Sequence, residues 1–566
     1  MTKTYKPEIN GLRAVAVLLV LIFHIDSNLL QGGFLGVDVF FVISGYLITN
    51  NILFDIKQEA FSFADFYRRR VQRLLPALGF TILATIIAGY FFLPSYFYER
   101  LSNSALLALL SASNIFFWLE GGYFNTGSDL KPLLHTWSLG IEEQFYLLWP
   151  ILIVGLQKFL PKFLNLVFLL LVALSIALCH LYMHSDPPAA TFFLLQFRIF
   201  EFVLGAVCIS LVPFFKEKQI LNNVLVIIGL GLIIGSAVVF DQYMTMPGML
   251  SLIPCVGTML VICGGLSSLS SILLNNKLAD LIGKASYSIY LFHWPLIVYY
   301  NLWTVEDDLL LGEKFLLLGL SLVGGFLMWG LIEQPMRRPA IKARTIWLGV
   351  PVFFLSIAGI AYGIRFNKGF PQRDNNPYTL NEKQLNQQKG KYWREGGPES
   401  AILKGSSNKQ VLIMGNSHAI DLIYSLRNNG FRANIISLPT HFSCSNFGAL
   451  PIEKKYTTKC ESVTNRNLAN IAWQRADEIY LHDDWRAQNN QNLRLLLERI
   501  RTLTNAPIYV FGPKMIYTQV SDVIIKSSKS ISPKEINKHA LSYALVERRK
   551  RQSAATATLL LSLIHI

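Results

Sequence analysis

The sequence predicts a polytopic α-helical membrane domain followed by a smaller α/β domain. Of the 566 residues, 52% are hydrophobic and only 15% are charged, against about 25% charged in a typical soluble chain. Eleven apolar runs before residue 367 have the length of about 20 residues that a membrane helix needs. The net charge is +2 over residues 1–366 and +13 over residues 367–566, so the two parts are expected to lie in different solvents.

The predicted membrane helices follow one another closely. They cover residues 11–30, 34–53, 75–94, 142–160, 163–183, 191–213, 222–240, 247–266, 286–303, 314–333 and 345–365. The first has no small-residue cleavage site before Gln31, so we interpret it as a retained helix rather than a signal peptide. A further run, Ser104 to Trp118, is shorter and contains Asn114 and several serines.

The distribution of lysine and arginine predicts the topology. With the N-terminus in the cytoplasm and Ser104–Trp118 outside the membrane, seventeen basic residues lie on the cytoplasmic side and three on the other; counting that run as a span gives nine and eleven. The positive-inside rule therefore favours eleven spans. An odd number of spans places the C-terminal part outside the cytoplasm, where a disulfide between Cys444 and Cys460 is chemically allowed. The other four cysteines lie in apolar runs and are expected to be packing residues.

The polar part contains a linker and a domain. Residues 367–409 are rich in Asn, Gln, Lys and Gly, which is typical of a linker or small extension. From residue 410, short apolar segments at 410–415, 479–481 and 508–511 predict strands, and residues 492–503 predict a helix between two of them. Strands that alternate with helices indicate a parallel α/β sheet.

Ionisable residues inside membrane spans are costly and mark candidate sites. Arg13 and His24 are eleven residues apart on the first helix, which puts them on one face with a separation of about 16 Å along the axis. His24 could act as a general base toward a hydroxyl, or carry a proton. A histidine packed and hydrogen-bonded to a neighbouring helix explains the spacing equally well. Arg198 and Glu201, three residues apart, could simply neutralise each other.

Other polar residues lie at the membrane edge. The segment from Arg68 to Arg73 contains four arginines. Their positions suit a topology signal, but a cationic pocket there would also suit an anionic, phosphate-bearing ligand. Further candidates are Asp38, Glu142, Glu143, His293 and Glu333.

Several separated motifs, in order, resemble the acyltransferase-3 family of membrane O-acyltransferases over about the first 340 residues. They are Arg13-x10-His24, Gly36-Val-Asp-Val-Phe-Phe-Val-Ile-Ser-Gly-Tyr-Leu-Ile, Arg70-x-x-Arg73, His135-Thr-Trp-Ser-Leu-x-x-Glu-Glu-Gln-Phe, Ser286-Tyr-Ser-Ile-Tyr-Leu-x-His-Trp-Pro and Glu333-x-Pro. The resemblance implies a ten-helix acyltransferase domain at 1–340, acetyl-coenzyme A as the cytoplasmic acyl donor, and a bacterial surface glycan as the acceptor. On matching positions it implies His24 as the leading catalytic residue, Arg13 and Glu142 as further members of the site, and Arg70 and Arg73 as contacts to the donor phosphates.

The polar part is similar to the SGNH hydrolase-like domain that some members carry after an eleventh helix, here residues 341–366. Gly415-Asn-Ser-His-Ala looks like the first block of that domain, which makes Ser417 the candidate nucleophile. Asn416 stands where the family more often has Asp. The usual Asp-x-x-His motif does not occur after Ser417, so we expect the domain at 410–566 to be truncated at its C-terminus and catalytically incomplete.

These observations favour a multi-pass O-acetyltransferase of the bacterial inner membrane, with a cytoplasmic N-terminus and a periplasmic C-terminal domain. Its acceptor would be a glycan or glycolipid such as lipopolysaccharide O-antigen, lipooligosaccharide or peptidoglycan, and no metal is expected. The alternative is a transporter or flippase in which Arg13, His24 and Glu142 form a translocation path. A protein that only binds anionic glycan or lipid phosphate would explain the +13 domain but not the intramembrane residues. Nucleic acid is not expected as a partner, because the basic domain lies outside the cytoplasm.

Overall fold

The computed structural model divides the chain into two compact units, Met1–Arg373 and Asp374–Ile566. It describes residues 7–120, 131–182, 189–215, 217–241, 244, 246–265, 267–304, 309–338, 343–373, 387, 402–403, 405–428, 430–440, 444–445, 450–451, 457–482 and 490–511. Each unit is described below by itself.

The described part of the first unit is helical. Its helices are α1 Pro7–Ile25, α2 Gly36–Lys57, α3 Phe63–Phe92, α4 Ser95–Leu109, α5 Ser113–Leu119, α6 Thr136–Phe159, α7 Leu164–Tyr182, α8 Ala189–Phe193, α9 Leu195–Phe215, α10 Gln219–Val239, α11 Leu252–Cys263, α12 Ser268–Leu273, α13 Lys277–Thr304, α14 Leu311–Met328, α15 Gln334–Met336 and α16 Ala343–Phe366. A π-helical turn, Trp329–Glu333, joins α14 to α15.

Among the described residues, nine helices are long and apolar enough to cross a membrane. They correspond to nine of the eleven predicted runs. The other two runs are also helical: one is the shorter apolar segment Met249–Cys263, and the other lies in α13, which has 28 residues and buries polar side chains such as Ser286, Ser288 and His293. The prediction of a polytopic helical membrane domain is confirmed.

The shorter run at Ser104–Trp118 does not form one helix. It is divided between α4, with 15 residues, and α5, with 7 residues. At a rise of 1.5 Å per residue, neither reaches the roughly 30 Å of a bilayer core. This is consistent with leaving the run out of the predicted spans.

Two helices that are distant in sequence, α1 and α13, run parallel and place the histidines together. The amide of Asn10 donates to Asp280 Oδ1 at 2.8 Å near the start of both helices. Near the other end of α1, His24 Nδ1 lies 2.9 Å from His293 Nε2. The two contacts have sequence offsets of 270 and 269, which is the pattern of a parallel pair in constant register.

A second parallel pair, α2 and α9, is set by glycines. A Cβ at Gly45 would lie 1.8 Å from the carbonyl oxygen of Phe202, and one at Gly205 would lie 1.9 Å from that of Val42. Only glycine lets the two backbones come this close. Asp38 and Arg198 each lie seven residues before one of these glycines, and therefore on the same helix faces. The close crossing thus brings a carboxylate and a guanidinium into contact in the interior.

The second unit contains a five-stranded sheet of order β1-β3-β2-β6-β7. All pairs in it are parallel except β1 with β3, and a separate antiparallel pair joins β4 to β5. Its elements are β1 Ile402–Leu403, β2 Gln410–Gly415, α17 Ser417–Asn428, β3 Asn434–Pro439, β4 Cys444–Ser445, β5 Leu450–Pro451, α18 Thr457–Leu468, α19 Ala472–Arg475, β6 Glu478–Leu481, α20 Asn490–Leu503 and β7 Ile508–Val510. The predicted strands, helix and parallel α/β class are confirmed.

The turn after β2 places Ser417. Gly415 has φ +156°, and a Cβ there would lie 1.8 Å from the carbonyl oxygen of His482, so the position requires glycine. Ser417 is the first residue of α17, at the carboxyl end of the central strand. The strand-to-helix turn is therefore as predicted. The side chain of Ser417 and residues 512–566, including the chain end predicted to be truncated, lie outside the described part of the structure.

The cysteines fall into the two groups that the sequence separates. Cys179, Cys208, Cys255 and Cys263 are buried in the first unit. Cys460 forms a disulfide. Because the side chain of Cys444 lies outside the described residues, its pairing with Cys460 stays a prediction.

Candidate active site

A cavity of about 460 Å³, which we call the histidine cavity, opens near the C-terminal end of α1. His24, the penultimate residue of α1, lines it together with His135. The rest of the wall mixes aromatic and polar side chains. Its aromatic residues are Phe23, Phe34, Trp137, Phe192, Phe193, Tyr290 and Trp294, and its charged residues are Asp26, Asp38, Arg198 and Lys314. A concave site with polar groups set among apolar ones is typical of small-molecule binding.

His24 is hydrogen-bonded to a second histidine. Its Nδ1 lies 2.9 Å from His293 Nε2, and His293 Nδ1 lies 3.3 Å from the carbonyl oxygen of Ile289. A carbonyl only accepts, so His293 carries its proton on Nδ1 and accepts at Nε2. His24 must then donate from Nδ1, which leaves Nε2 with a lone pair. This is the tautomer that a general base needs, with His293 in the orienting role.

Aromatic packing fixes the ring of His24. It lies edge to edge with the ring of His293, with ring centroids 5.2 Å apart and ring planes 18° apart. Its centroid is 4.5 Å from the ring centroid of Trp294. The indole of Trp294 donates to the carbonyl oxygen of Lys131 at 2.9 Å, which holds the indole in place. His24 is therefore held from two sides before any substrate arrives.

A buried charge cluster lies on the same cavity. Arg198 Nη1 donates to Asp38 Oδ1 at 3.0 Å and to Glu201 Oε1 at 2.9 Å, and the three side chains are 3%, 3% and 0% exposed. The guanidinium also lies against the rings of Trp137 and Phe192, at 5.5 and 4.8 Å. The predicted Arg198–Glu201 pair is thus present, and Asp38 joins it from α2.

An ion pair borders the histidine cavity where α1 ends. Lys314 Nζ lies 2.6 Å from Asp26 Oδ2, two residues after His24. The hydrogen bond from Lys314 lowers the pKa of the Asp26 carboxyl, which therefore stays ionised at neutral pH. The pair links α1 to the first turn of α14.

A second cavity of about 90 Å³, the arginine cavity, lies toward the other end of α1. Arg13, Arg70 and Arg73 line it, against one carboxylate, Glu142. The Nε atoms of Arg70 and Arg73 are buried and have no hydrogen-bond partner among the described residues. Three guanidinium groups, two of them with an unused donor, favour an anionic ligand such as a phosphate.

The four arginines of the 68–73 segment fall into two pairs. Arg68 lies 3.2 Å from Asp65, and Arg69 lies 3.3 Å from Asp55. Arg70 and Arg73 instead line the arginine cavity, and the guanidinium of Arg70 lies 5.3 Å from the ring centre of Tyr146. Only the second pair is therefore placed to contact a ligand there.

Glu142 belongs to the arginine cavity and not to the histidine cavity. Its Oε1 accepts hydrogen bonds from the hydroxyls of Ser44 and Tyr146. Two hydrogen bonds from hydroxyl groups fix the position of the carboxyl group. Glu142 can balance part of the arginine charge, but it does not line the cavity that contains His24.

The two cavities adjoin each other. Val37 and Tyr290 line both. The hydroxyl of Tyr290 donates to the carbonyl oxygen of His135 at 2.9 Å and lies 2.7 Å from Ser138 Oγ. A chain of two hydroxyls therefore stands where the cavities meet.

The sequence-predicted residues are thus divided between two sites. Arg13 and His24 share a helix but line different cavities, so the contact partner of His24 is His293 and not Arg13. Sequence reasoning gave no role to His293 or His135. A histidine in or beside a membrane span is itself a candidate for function, so the sequence did mark both residues. Their proximity to His24 could not be predicted, because it depends on helices far apart in the chain.

Within the described residues, no group of three or more His, Cys, Asp and Glu side chains is placed to hold a metal ion. This includes the three histidines around the histidine cavity. The expectation that the protein uses no metal remains a prediction.

The fold and the two cavities define a polytopic membrane protein with a hydrogen-bonded histidine pair beside an arginine-lined pocket. The sequence profile of an acyltransferase domain matches residues 6–322, which is more than half of the chain. The chain therefore belongs to the acyltransferase-3 family, as the motifs indicated. Membership favours acyl transfer over the transporter alternative.

The chain is similar to curated bacterial proteins over about 60% of its length. It is 32% identical over 354 residues to the O-acetyltransferase OatA of Staphylococcus aureus strain NCTC 8325, covering 60% of this chain and 58% of that protein. It is 32% identical over 385 residues to the peptidoglycan O-acetyltransferase OatA of Listeria monocytogenes, covering 63% and 62%. The chain thus spans about 60% of the length of these relatives. No solved structure matches it.

Proposed function

We propose that this protein transfers an acetyl group from acetyl-coenzyme A to a hydroxyl of a bacterial surface glycan. The observation that carries the proposal is the hydrogen-bonded pair of His24 and His293 on the wall of a cavity that adjoins an arginine-lined pocket. The names of the relatives, O-acetyltransferase and peptidoglycan O-acetyltransferase, support acetyl as the acyl group and peptidoglycan as the first acceptor to test.

The arginine cavity is assigned to the donor. Coenzyme A carries phosphates at one end of a flexible arm and the thioester at the other. A cavity of about 90 Å³ is too small for the whole molecule, so the nucleotide stays at the entrance with its phosphates on Arg70 and Arg73. The arm then extends past Tyr290 toward His24.

The histidine cavity is assigned to the acceptor. Its 460 Å³ volume suits a sugar-sized group, and its mixture of aromatic and polar side chains suits a sugar, which has apolar faces and many hydroxyls. His24 Nε2 takes the proton of the acceptor hydroxyl as its oxygen attacks the thioester carbonyl, and returns the proton to the sulfur as the carbon–sulfur bond breaks. The products are the O-acetyl ester and free coenzyme A.

Ser417 is proposed to act after this step, in delivery of the acetyl group to the final sugar outside the cytoplasm. The turn that presents it follows the central strand of the second unit, which is a suitable position for a nucleophile. Replacing Ser417 with alanine should leave turnover of acetyl-coenzyme A nearly unchanged and reduce only the acetylation of the final glycan. An equal loss of both activities would contradict this order of events.

The topology belongs to the same proposal. We propose that the chain lies in the bacterial inner membrane, that the entrance to the arginine cavity faces the cytoplasm and that the second unit lies outside it, because seventeen of twenty inter-helix basic residues then lie inside. Alkaline phosphatase fused after Phe366 should be active, and thiol labelling without reductant should miss Cys444 and Cys460. An inactive fusion would contradict the topology, whereas two labelled thiols would contradict only the disulfide.

The donor assignment predicts different effects for the two arginine pairs. Changing both Arg70 and Arg73 to glutamine should raise the Kd for coenzyme A by at least about 10-fold, because charged hydrogen bonds contribute about 1.5–3 kcal/mol each. The matched control is Arg68→Gln with Arg69→Gln, which removes the same charge from the same segment. Its Kd should stay within about 2-fold of wild type, since these arginines pair with Asp65 and Asp55 and do not line the arginine cavity.

Isothermal titration of coenzyme A into the full chain in detergent measures both variants. Equal weakening by both pairs would mean that the segment acts only through its general charge. No weakening by either pair would remove the arginine cavity as the donor site.

A further inference from the structure

His135 has a fixed backbone and an unused side chain. It precedes α6 as the N-cap, and its carbonyl oxygen accepts from the Tyr290 hydroxyl at 2.9 Å and from Ser138 Oγ at 3.2 Å. The neighbouring Thr136 donates to Leu133 and accepts from Ser113, at 2.7 and 2.8 Å. The main chain at residue 135 is therefore held by hydrogen bonds from several elements.

The ring of His135 contrasts with its backbone. The residue is 3% exposed, yet among the described residues neither ring nitrogen has a hydrogen bond of normal geometry. A neutral imidazole has one donor and one acceptor, and burying them without well-aligned partners is unfavourable. The ring lines the histidine cavity, with its centroid 6.0 Å from His293 and 5.6 Å from Tyr290. A ligand in this cavity can satisfy it.

We propose that His135 is a second catalytic histidine, which donates a hydrogen bond from its ring N–H to the oxyanion formed during acetyl transfer. This inference rests on the proposed function and adds a role that the base alone does not supply. His24 and His135 line the same cavity, and both rings lie near the ring of His293. The plane of the His293 ring makes an angle of 18° with that of His24 and 76° with that of His135. One thioester carbonyl can thus meet a base and a donor together.

The chemistry balances with these two groups. The acceptor oxygen forms a bond to the carbonyl carbon, its proton passes to His24, and the carbonyl electrons move to oxygen. His135 stabilises that negative charge with a neutral N–H and keeps its own proton. When the intermediate collapses, the carbon–oxygen double bond returns, the carbon–sulfur bond breaks, and the sulfur takes the proton from His24. A hydrogen-bond donor stabilises an oxyanion most effectively when it is already in position and water is excluded from the site.

The test compares His135→Leu, which keeps the volume without a donor, with His135→Gln, which keeps an N–H donor. The full chain in detergent is supplied with acetyl-coenzyme A and soluble muropeptides, and release of the free thiol is followed together with acetyl transfer to the glycan. His135→Leu should lower kcat by about 10²- to 10³-fold with KM for both substrates within a few-fold, and His135→Gln should recover a substantial part. His180→Leu, a change at an exposed histidine of α7, is the matched control and should act like wild type.

Three results decide the inference. A leucine variant with wild-type kcat, or a glutamine variant as slow as the leucine variant, would overturn the donor role of His135. If the leucine variant does not fold, His135→Ala takes its place in the same comparison. A wild-type chain that transfers no acetyl group at all would instead overturn the proposed function, which separates the two failures.

Discussion

Replacing His24 with alanine should lower the rate of acetyl transfer by about 10²- to 10⁴-fold, the range expected for loss of a general base. The reason is geometric: His24 is the residue whose Nε2 keeps a lone pair at the histidine cavity, because its Nδ1 is used by His293. Binding of coenzyme A in the arginine cavity should change little, since His24 does not line it. The measurement is kcat for thiol release together with the Kd for coenzyme A.

The matched control is His180→Ala, which removes an exposed histidine from α7 that lines neither cavity. It should retain wild-type turnover. His293→Gln should cost less than His24→Ala, because an amide can still accept a hydrogen bond from His24 and orient it. If a well-folded His24→Ala protein retains near-normal turnover, His24 is a packed histidine and not the base.

The second large effect concerns stability. Changing Arg198 to methionine should destabilise the membrane unit by about 3–5 kcal/mol, because it leaves the carboxyl groups of Asp38 and Glu201 without their cationic partner in the interior. All three side chains are at most 3% exposed, so water cannot compensate for the lost cation. The measurement is the free energy of unfolding from a denaturant titration in detergent micelles. Arg344→Met, at an exposed arginine of α16, is the control and should change it by less than about 0.5 kcal/mol.

A triple variant tests the cause of that loss. Adding Asp38→Asn and Glu201→Gln to Arg198→Met removes both uncompensated charges and should restore part of the stability. If the triple variant is as unstable as the single one, the loss comes from packing of the guanidinium against Trp137 and Phe192 and not from charge. If Arg198→Met is as stable as wild type, the cluster does not hold α2 to α9.

Much of the architecture follows from local sequence. The eleven apolar runs are long enough to identify helices, and the strands of the second unit are short apolar segments that end in turns. The choice of Arg70 and Arg73 within the arginine segment came from the family resemblance, because helical spacing alone also puts Arg69 on the face of Arg73. The cost of charge in a membrane points directly to Arg13, His24 and Arg198.

The composition of the site could not be predicted in the same way. The face shared by Arg13 and His24 follows from 3.6 residues per turn. Whether two residues about 16 Å apart on that face line one cavity or two depends on the helices that pack against it. His293 reaches His24 only through the register of α1 on α13, with 268 residues between them. His135 begins one of the sequence motifs, but the motif does not assign it a role, and its significance comes from two buried ring nitrogens that have no well-aligned hydrogen-bond partner among the described residues.

The most direct test of the central claim is mass analysis of the surface glycan from cells that produce either the wild-type chain or His24→Ala at equal levels. We expect sugars heavier by one acetyl group in cells with the wild-type chain, and no acetylated sugars in cells with His24→Ala. Loss of the added mass on mild alkaline treatment should identify it as an ester. Equal acetylation in the two strains, with both proteins folded in the membrane, would contradict the assignment of His24 as the base that starts the transfer.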